Sequence, residues 1–161
     1  MHHAYFGELA SAPTGVEWSG EIAVDGSRVD VWLTTDIEPT AAQLDTAATF
    51  LREVHRFDRI AREAVAAELE DDDSAVALYV THHLAELSDA DLAATFGTSR
   101  REEIEPSRFL VRLMLDHVGL RPDDPTYLAT FDYMLDRKLT QYVLAVTFDQ
   151  SGEVVSVEME S

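Results

Sequence analysis

Asp25-Gly26 stands between two runs of alternating apolar residues, a pattern that commits the N-terminal end of the chain to a two-stranded hairpin. In the first run Val16, Trp18, Gly20, Ile22 and Val24 share one parity, and Glu17, Ser19, Glu21 and Asp25 hold the other. A period of two marks a half-buried strand. Both central residues of a two-residue type I′ turn need positive φ, and Asp-Gly suits both places. Such a loop sets Ile22 opposite Val29 and Trp18 opposite Leu33, so the apolar faces coincide. The preceding segment AYFGELA can add a further strand, with Ser11 to Gly15 as its turn.

The period then changes. Thr40 and Gln43 make a capping box ahead of Leu44, Ala47, Leu51 and Val54, which recur at helical spacing. A second helix carries Phe57, Ile60, Ala64 and Ala67 and ends near the acidic run Glu70-Asp71-Asp72-Asp73. A third starts near Ser74, with Val76, Val80, Leu84 and Leu87 on one stripe. Ser88 and Asp91 cap a short helix that stops at Gly97. Alternation returns with Tyr127, Ala129, Phe131 and Tyr133. The stretch from Tyr142 to Phe148 is apolar nearly throughout, which suits a central strand covered on both faces. In the last segment Val155, Val157 and Met159 point inward. Residues 107–120 fit two patterns: a helix through Phe109, Leu113, Met114 and His117, or a strand through Phe109, Val111, Leu113 and Leu115. The sum is one α+β domain over residues 1–161, with strands at about 4–35, helices at about 40–97 and strands at about 110–160. Its expected sheet is antiparallel, built from the N-terminal hairpin and the C-terminal strands, with the central helical block packed on one face.

Composition narrows the function. Thirty-one acidic residues against twelve basic ones leave a formal net charge of −19. Such a field repels phosphate backbones and anionic lipid, so neither nucleic acid nor membrane is an expected partner. It attracts a basic protein, and it also serves solubility alone. The absence of cysteine removes disulfides, thiolate metal sites and cysteine nucleophiles. No apolar run reaches about 18 residues. The start MHHAYFGELA lacks the basic and apolar regions of a secretory signal, and a cytoplasmic address is expected. Nucleophile elbows, phosphate loops and dinucleotide fingerprints are missing, and no cofactor is predicted.

Candidate sites are few. His82 and Glu86 lie four apart on one helical face and could share a metal ion, although two ligands from one helix do not make a site and isolated pairs like this are common. Arg52, Arg56, Arg59 and Arg62 would form one basic stripe on a continuous helix. Guanidinium forks suit carboxylate or phosphate, and Arg56 and Arg59 are the binding candidates; ordinary pairing with Asp58 and Glu63 explains the same spacing. From Glu63 to Ser99 there is no Lys or Arg, and Asp71, Asp72 and Asp73 head a partner-facing acidic surface or a solvated loop. Trp32 shares its parity with Arg28, Asp30 and Thr34. On a one-sided sheet it is an exposed aromatic anchor; the need to house the helical block favours core. Asp132, between Phe131 and Tyr133, is a hydrogen-bonded structural carboxylate or a pocket rim.

A strand running into Pro122-Asp123, the FDY strand at Phe131 to Tyr133, the Leu-Thr-x-Tyr entry at Leu139 to Tyr142 and the terminal Met159-Glu160-Ser161 together resemble a bacterial family, domain of unknown function two-thousand-four. The FGEL segment, the W-x-G-E-I strand and the Asp-Gly hairpin are similar to it too. The resemblance implies a strand from Leu113 to Pro122 and brings no activity, so it transfers no catalytic residue. The expected function is a non-enzymatic cytoplasmic binding protein whose acidic surface meets a basic protein partner, immunity-like or inhibitor-like. The alternatives are an uncommon metal-dependent enzyme using His82 and Glu86, or a small-ligand-binding domain. A homodimer is open to the chain if its C-terminal strand lies at a sheet edge.

Overall fold

The computed structural model describes residues 1–161. Two short strands, β1 (His2–His3) and β2 (Gly7–Glu8), pair with each other. β3 (Ala10–Ser11), β4 (Val16–Val24) and β5 (Ser27–Thr34) then open a larger sheet. Next come α1 (Ala41–Arg52), α2 (Val54–Ala67), α3 (Ala75–Glu86), α4 (Asp89–Phe96) and α5 (Pro106–Val111). The chain closes with β6 (Met114–Leu120), β7 (Ala129–Met134), β8 (Val143–Phe148) and β9 (Val154–Glu160). The seven strands β3 to β9 lie in sequence order, so the fold is α+β with a central helical block. No helix is long and apolar enough to cross a membrane.

The hairpin forms as its pattern dictates. Asp25 and Gly26 both take positive φ, 49° and 80°, and Ile22 faces Val29 while Trp18 faces Leu33. The sheet departs from pure antiparallel order at one junction, where β5 and β6 run parallel. The reason is topological. The helical block between them carries the chain back along the sheet, and a crossover of that length returns a strand in parallel. Residues 107–120 resolve the two competing periods in succession: Pro106 opens the short α5, and strand begins at Met114.

One face of the sheet receives the helices. Val29, Val31, Leu33, Val118, Leu120, Phe131, Tyr133, Leu144, Val146 and Phe148 are buried there. Phe50 stacks on Phe57 at 3.9 Å, and both meet Phe148 edge-on at 5.4 Å. Phe131 closes the cluster at 5.6 Å from Phe50 and 5.2 Å from Phe148. Thus β8 is covered by helices on one face only. On its other face Ala145 and Thr147 stand among strand neighbours.

Several helical details differ from the pattern. α1 ends at Arg52, and Glu53 (φ −99°, ψ 20°) separates it from α2, so Val54 opens the second helix. α2 buries Val54, Phe57, Asp58, Ala61 and Val65, while Ala67 is exposed. α3 buries Tyr79 and His83 alongside Val76 and Val80. In β9 a bulge leaves Val155 without a partner opposite and about half exposed (53%), and Val154 pairs with Phe148 in its place. β9 is an edge strand; its bulge and its outward Glu158 and Glu160 oppose pairing with a second copy.

Thr40 caps α1 with both bonds of the capping box, accepting from the Gln43 amide at 3.3 Å while Gln43 accepts from the Thr40 amide at 2.8 Å. Thr40→Ala strips the first of these, and urea unfolding is expected to show a loss of about 1 kcal/mol.

Candidate functional site

Strand pairing aligns two rows of outward side chains across the uncovered face. The first runs Ser19, Trp32, Gly119, Thr130, Thr147, Ser156; the second runs Glu21, Asp30, His117, Asp132, Ala145, Glu158. Most members of the first row are small, so the platform is flat apart from Trp32. That residue is 59% exposed, which corrects the expectation that the helices make it core. They cover the face lined by Val29, Val31 and Leu33, and Trp32 has the opposite parity.

The Trp32 and His117 rings meet edge-on at 4.9 Å. Gly119, opposite Trp32, has no side chain, and a Cβ there would lie 3.6 Å from His117 Cε1. The imidazole therefore lies over bare backbone. Its Nδ1 is 3.1 Å from Asp132 Oδ2, so Asp132 orients the ring. Asp132 is thus a hydrogen-bonded carboxylate beside the aromatic pair.

Charge on this face is uneven. Glu17, Glu21, Asp30, Asp132, Glu158 and Glu160 all point outward from the strands, and Arg28 is the one strand arginine among them, paired to Glu21. Arg137 reaches over from the β7–β8 loop, donating to Asp116 at 2.7 Å and Asp30 at 3.0 Å. Those hydrogen bonds, chiefly the one to Asp116, push its pKa further up. Partial burial, with Asp132 and Glu158 nearby, pushes the Glu160 carboxyl above the ordinary range. Crowded carboxylates of this kind favour an incoming cation.

The other sequence candidates are scattered. The Glu53 break cuts Arg52 off from the arginine stripe, while Arg56, Arg59 and Arg62 stay on α2. Arg52 lies over the Tyr5 ring at 5.0 Å; Arg56 is 3.5 Å from Glu53 and sits over Phe57; Arg59 is exposed. Arg62 donates to both Asp58 oxygens at 3.1 Å and to the Leu113 carbonyl at 3.0 Å. Asp71, Asp72 and Asp73 occupy an exposed turn ahead of α3, where Asp71 accepts from the Asp73 amide at 3.0 Å. His82 is half-buried, with its ring edge-on to Tyr142 at 4.9 Å, and Glu86 is exposed. No group of three or more His, Asp or Glu side chains converges on a point fit for a metal ion.

Two buried polar centres escaped the sequence patterns. In one, the Tyr133 hydroxyl donates to Asp58 at 2.6 Å under the Arg62 guanidinium, and burial with the adjacent carboxylate pushes the phenol pKa far up. In the other, His83 is 2% exposed. The Tyr79 carbonyl, 2.8 Å away, can only accept, so Nδ1 carries the proton and Nε2 accepts from the Thr140 hydroxyl at 2.8 Å. Burial, the largest influence, lowers the His83 pKa. The unfolded chain therefore binds this proton more readily than the folded one. The contribution of neutral His83 is whole above the unfolded value near 6.5 and is lost as pH falls below it. Between pH 7 and pH 5 wild type is expected to lose more Tm than His83→Gln does. That difference isolates His83 from Glu68 and Glu160, whose raised pKa values act in the opposite sense.

A groove of about 420 Å³ lies between α2 and α5, walled by Val65, Leu69, Leu110, Val111 and Leu113 with Tyr133 in its lining. An open basin of about 690 Å³ borders Trp32 on the sheet face.

No protein-family model matches the chain, and comparison with curated proteins and with solved structures gave no match either.

Proposed function

We propose that this chain is a non-enzymatic binding protein whose open sheet face receives a basic protein partner, in the manner of an immunity or inhibitor protein of the cytoplasm. The observation that carries the reading is Trp32, more than half exposed among six outward carboxylates on the face the helices leave bare. A large aromatic side chain supplies contact area at low entropic cost, and a surrounding acidic field selects and steers a cationic surface. The acidic turn Asp71 to Asp73 belongs to the helical layer and adds to the net field without an aromatic anchor.

Affinity capture from native lysate at low salt tests this with three baits: wild type, Trp32→Ala, and Asp30→Lys with Glu158→Lys. The expected result is one basic protein held by wild type, released by salt and lost from both variants. A partner held equally by all three baits, or a partner that is acidic, contradicts the reading.

A second reading, a small apolar ligand, is favoured by the groove between α2 and α5 alone. Its test is Ala66→Trp, at an exposed position in the groove lining: binding of a neutral apolar dye should disappear while Trp32 remains exposed.

A further inference from the structure

The basin beside Trp32 has a composition of its own. The short side chains of Ala10, Ser19 and Thr34 and the longer ones of Glu8, Glu17 and Trp32 all line it, together with parts of Trp18 and Leu33. Pairing explains the grouping. Ala10 faces Glu17, Glu17 faces Thr34, and Ser19 faces Trp32, so β3, β4 and β5 bring Glu17 and the indole into one small patch, and Glu8 on β2 adds a second carboxylate to the basin lining. The basin lies on the β4 side of the indole, whereas His117 on β6 holds the other side. Glu8 and Glu17 take part in no ion pair, in a chain where Arg28, Arg56, Arg62, Arg100, Arg101, Arg121 and Arg137 all have carboxylate partners.

We infer that this basin is a seat for an arginine side chain of the partner, its guanidinium stacked on the indole of Trp32 and its N–H groups directed to Glu8 and Glu17. The inference rests on the sheet-face reading above and names the group recognised there. The chemistry favours arginine over lysine. A planar guanidinium stacks on an aromatic ring while its edge donors reach two acceptors, and an ammonium has no plane to stack. The protein builds a related arrangement itself: Arg62 lies 5.0 Å over the Tyr133 ring while its Nε–H donates to both Asp58 oxygens. The basin presents the aromatic and the carboxylates of that motif with the guanidinium left to come from outside.

The test uses the full chain, a hexa-arginine peptide and a hexalysine peptide at low salt, read by nuclear magnetic resonance. The indole N–H signal of Trp32 is assigned by its loss in Trp32→Phe. Hexa-arginine is expected to move that signal saturably and to bind about tenfold more tightly than hexalysine. Glu8→Gln with Glu17→Gln should weaken hexa-arginine about tenfold; Glu158→Gln with Glu160→Gln, an equal change of charge at the far edge, should weaken it about twofold. Equal affinity for the two peptides, or equal loss in the two double variants, overturns the arginine seat. If signals of Asp30 and Glu158 move while Trp32 does not, the seat is wrong and the acidic face still binds cations. If no sheet-face signal moves with either peptide, both inferences fall.

Discussion

Trp32→Ala is expected to weaken binding of the basic partner by about 2–4 kcal/mol, roughly a thirtyfold to thousandfold loss in Kd, while unfolding free energy changes by less than about 1 kcal/mol. The two halves of that expectation come from one geometric fact. Trp32 stands on the bare face of β5, touching His117 on one side and open basin on the other, so its removal leaves the helix-facing core intact. An interface that depends on a single large aromatic loses its anchor by the same cut. Titration calorimetry with the captured partner, beside urea unfolding of the free protein, measures both. A stability loss near 3 kcal/mol would mean that Trp32 is structural.

Phe131→Ala should behave in the opposite way. Phe131 is fully buried, and its ring meets Phe50 and Phe148 across the helix–sheet boundary. Removing it costs the transfer energy of the ring plus the cavity left between rigid elements, about 3–5 kcal/mol. For a chain of 161 residues that corresponds to a fall in Tm of roughly 10 °C. Calorimetric melting checks it. A drop of only a few degrees would show that Phe50 and Phe57 collapse into the space. A variant that stays folded should keep its partner affinity, because the missing ring faces the helices and Trp32 stands on the opposite face of the same sheet.

The hairpin was legible to the residue, because parity, the Asp25-Gly26 turn and register are all local and agree. The helical caps at Thr40, Ser88 and Gly97 were legible for the same reason. The parallel junction between β5 and β6 was not, since it depends on where the helical block returns the chain, and no local pattern encodes that. Trp32 shows the limit most clearly. Its parity was plain, but which face the helices cover is a property of the whole sheet. A large aromatic side chain favours the core on burial energy alone, and only the position of the helices leaves Trp32 on the bare face. The break at Glu53 likewise cut Arg52 off from the arginine stripe, because periodicity carries across a single non-helical residue without a mark. His83 and Asp58 acquire their partners from Thr140 and Tyr133, far along the chain, and such pairings leave no spacing to read. Glu17 could have been grouped with Trp32 from the hairpin register, which sets it opposite Thr34, one outward position beyond Trp32 on β5.

Carboxylate footprinting of the complex tests the central claim most directly. Carbodiimide labelling modifies exposed Asp and Glu side chains, and these are plentiful on both layers of the molecule. With the basic partner bound, protection is expected at Glu17, Glu21 and Glu158 on the open sheet face, with labelling unchanged at Asp71, Asp72, Asp73 and Glu86 on the helical layer. Protection confined to the helical set, with Glu17, Glu21 and Glu158 still labelled as in the free protein, would contradict it.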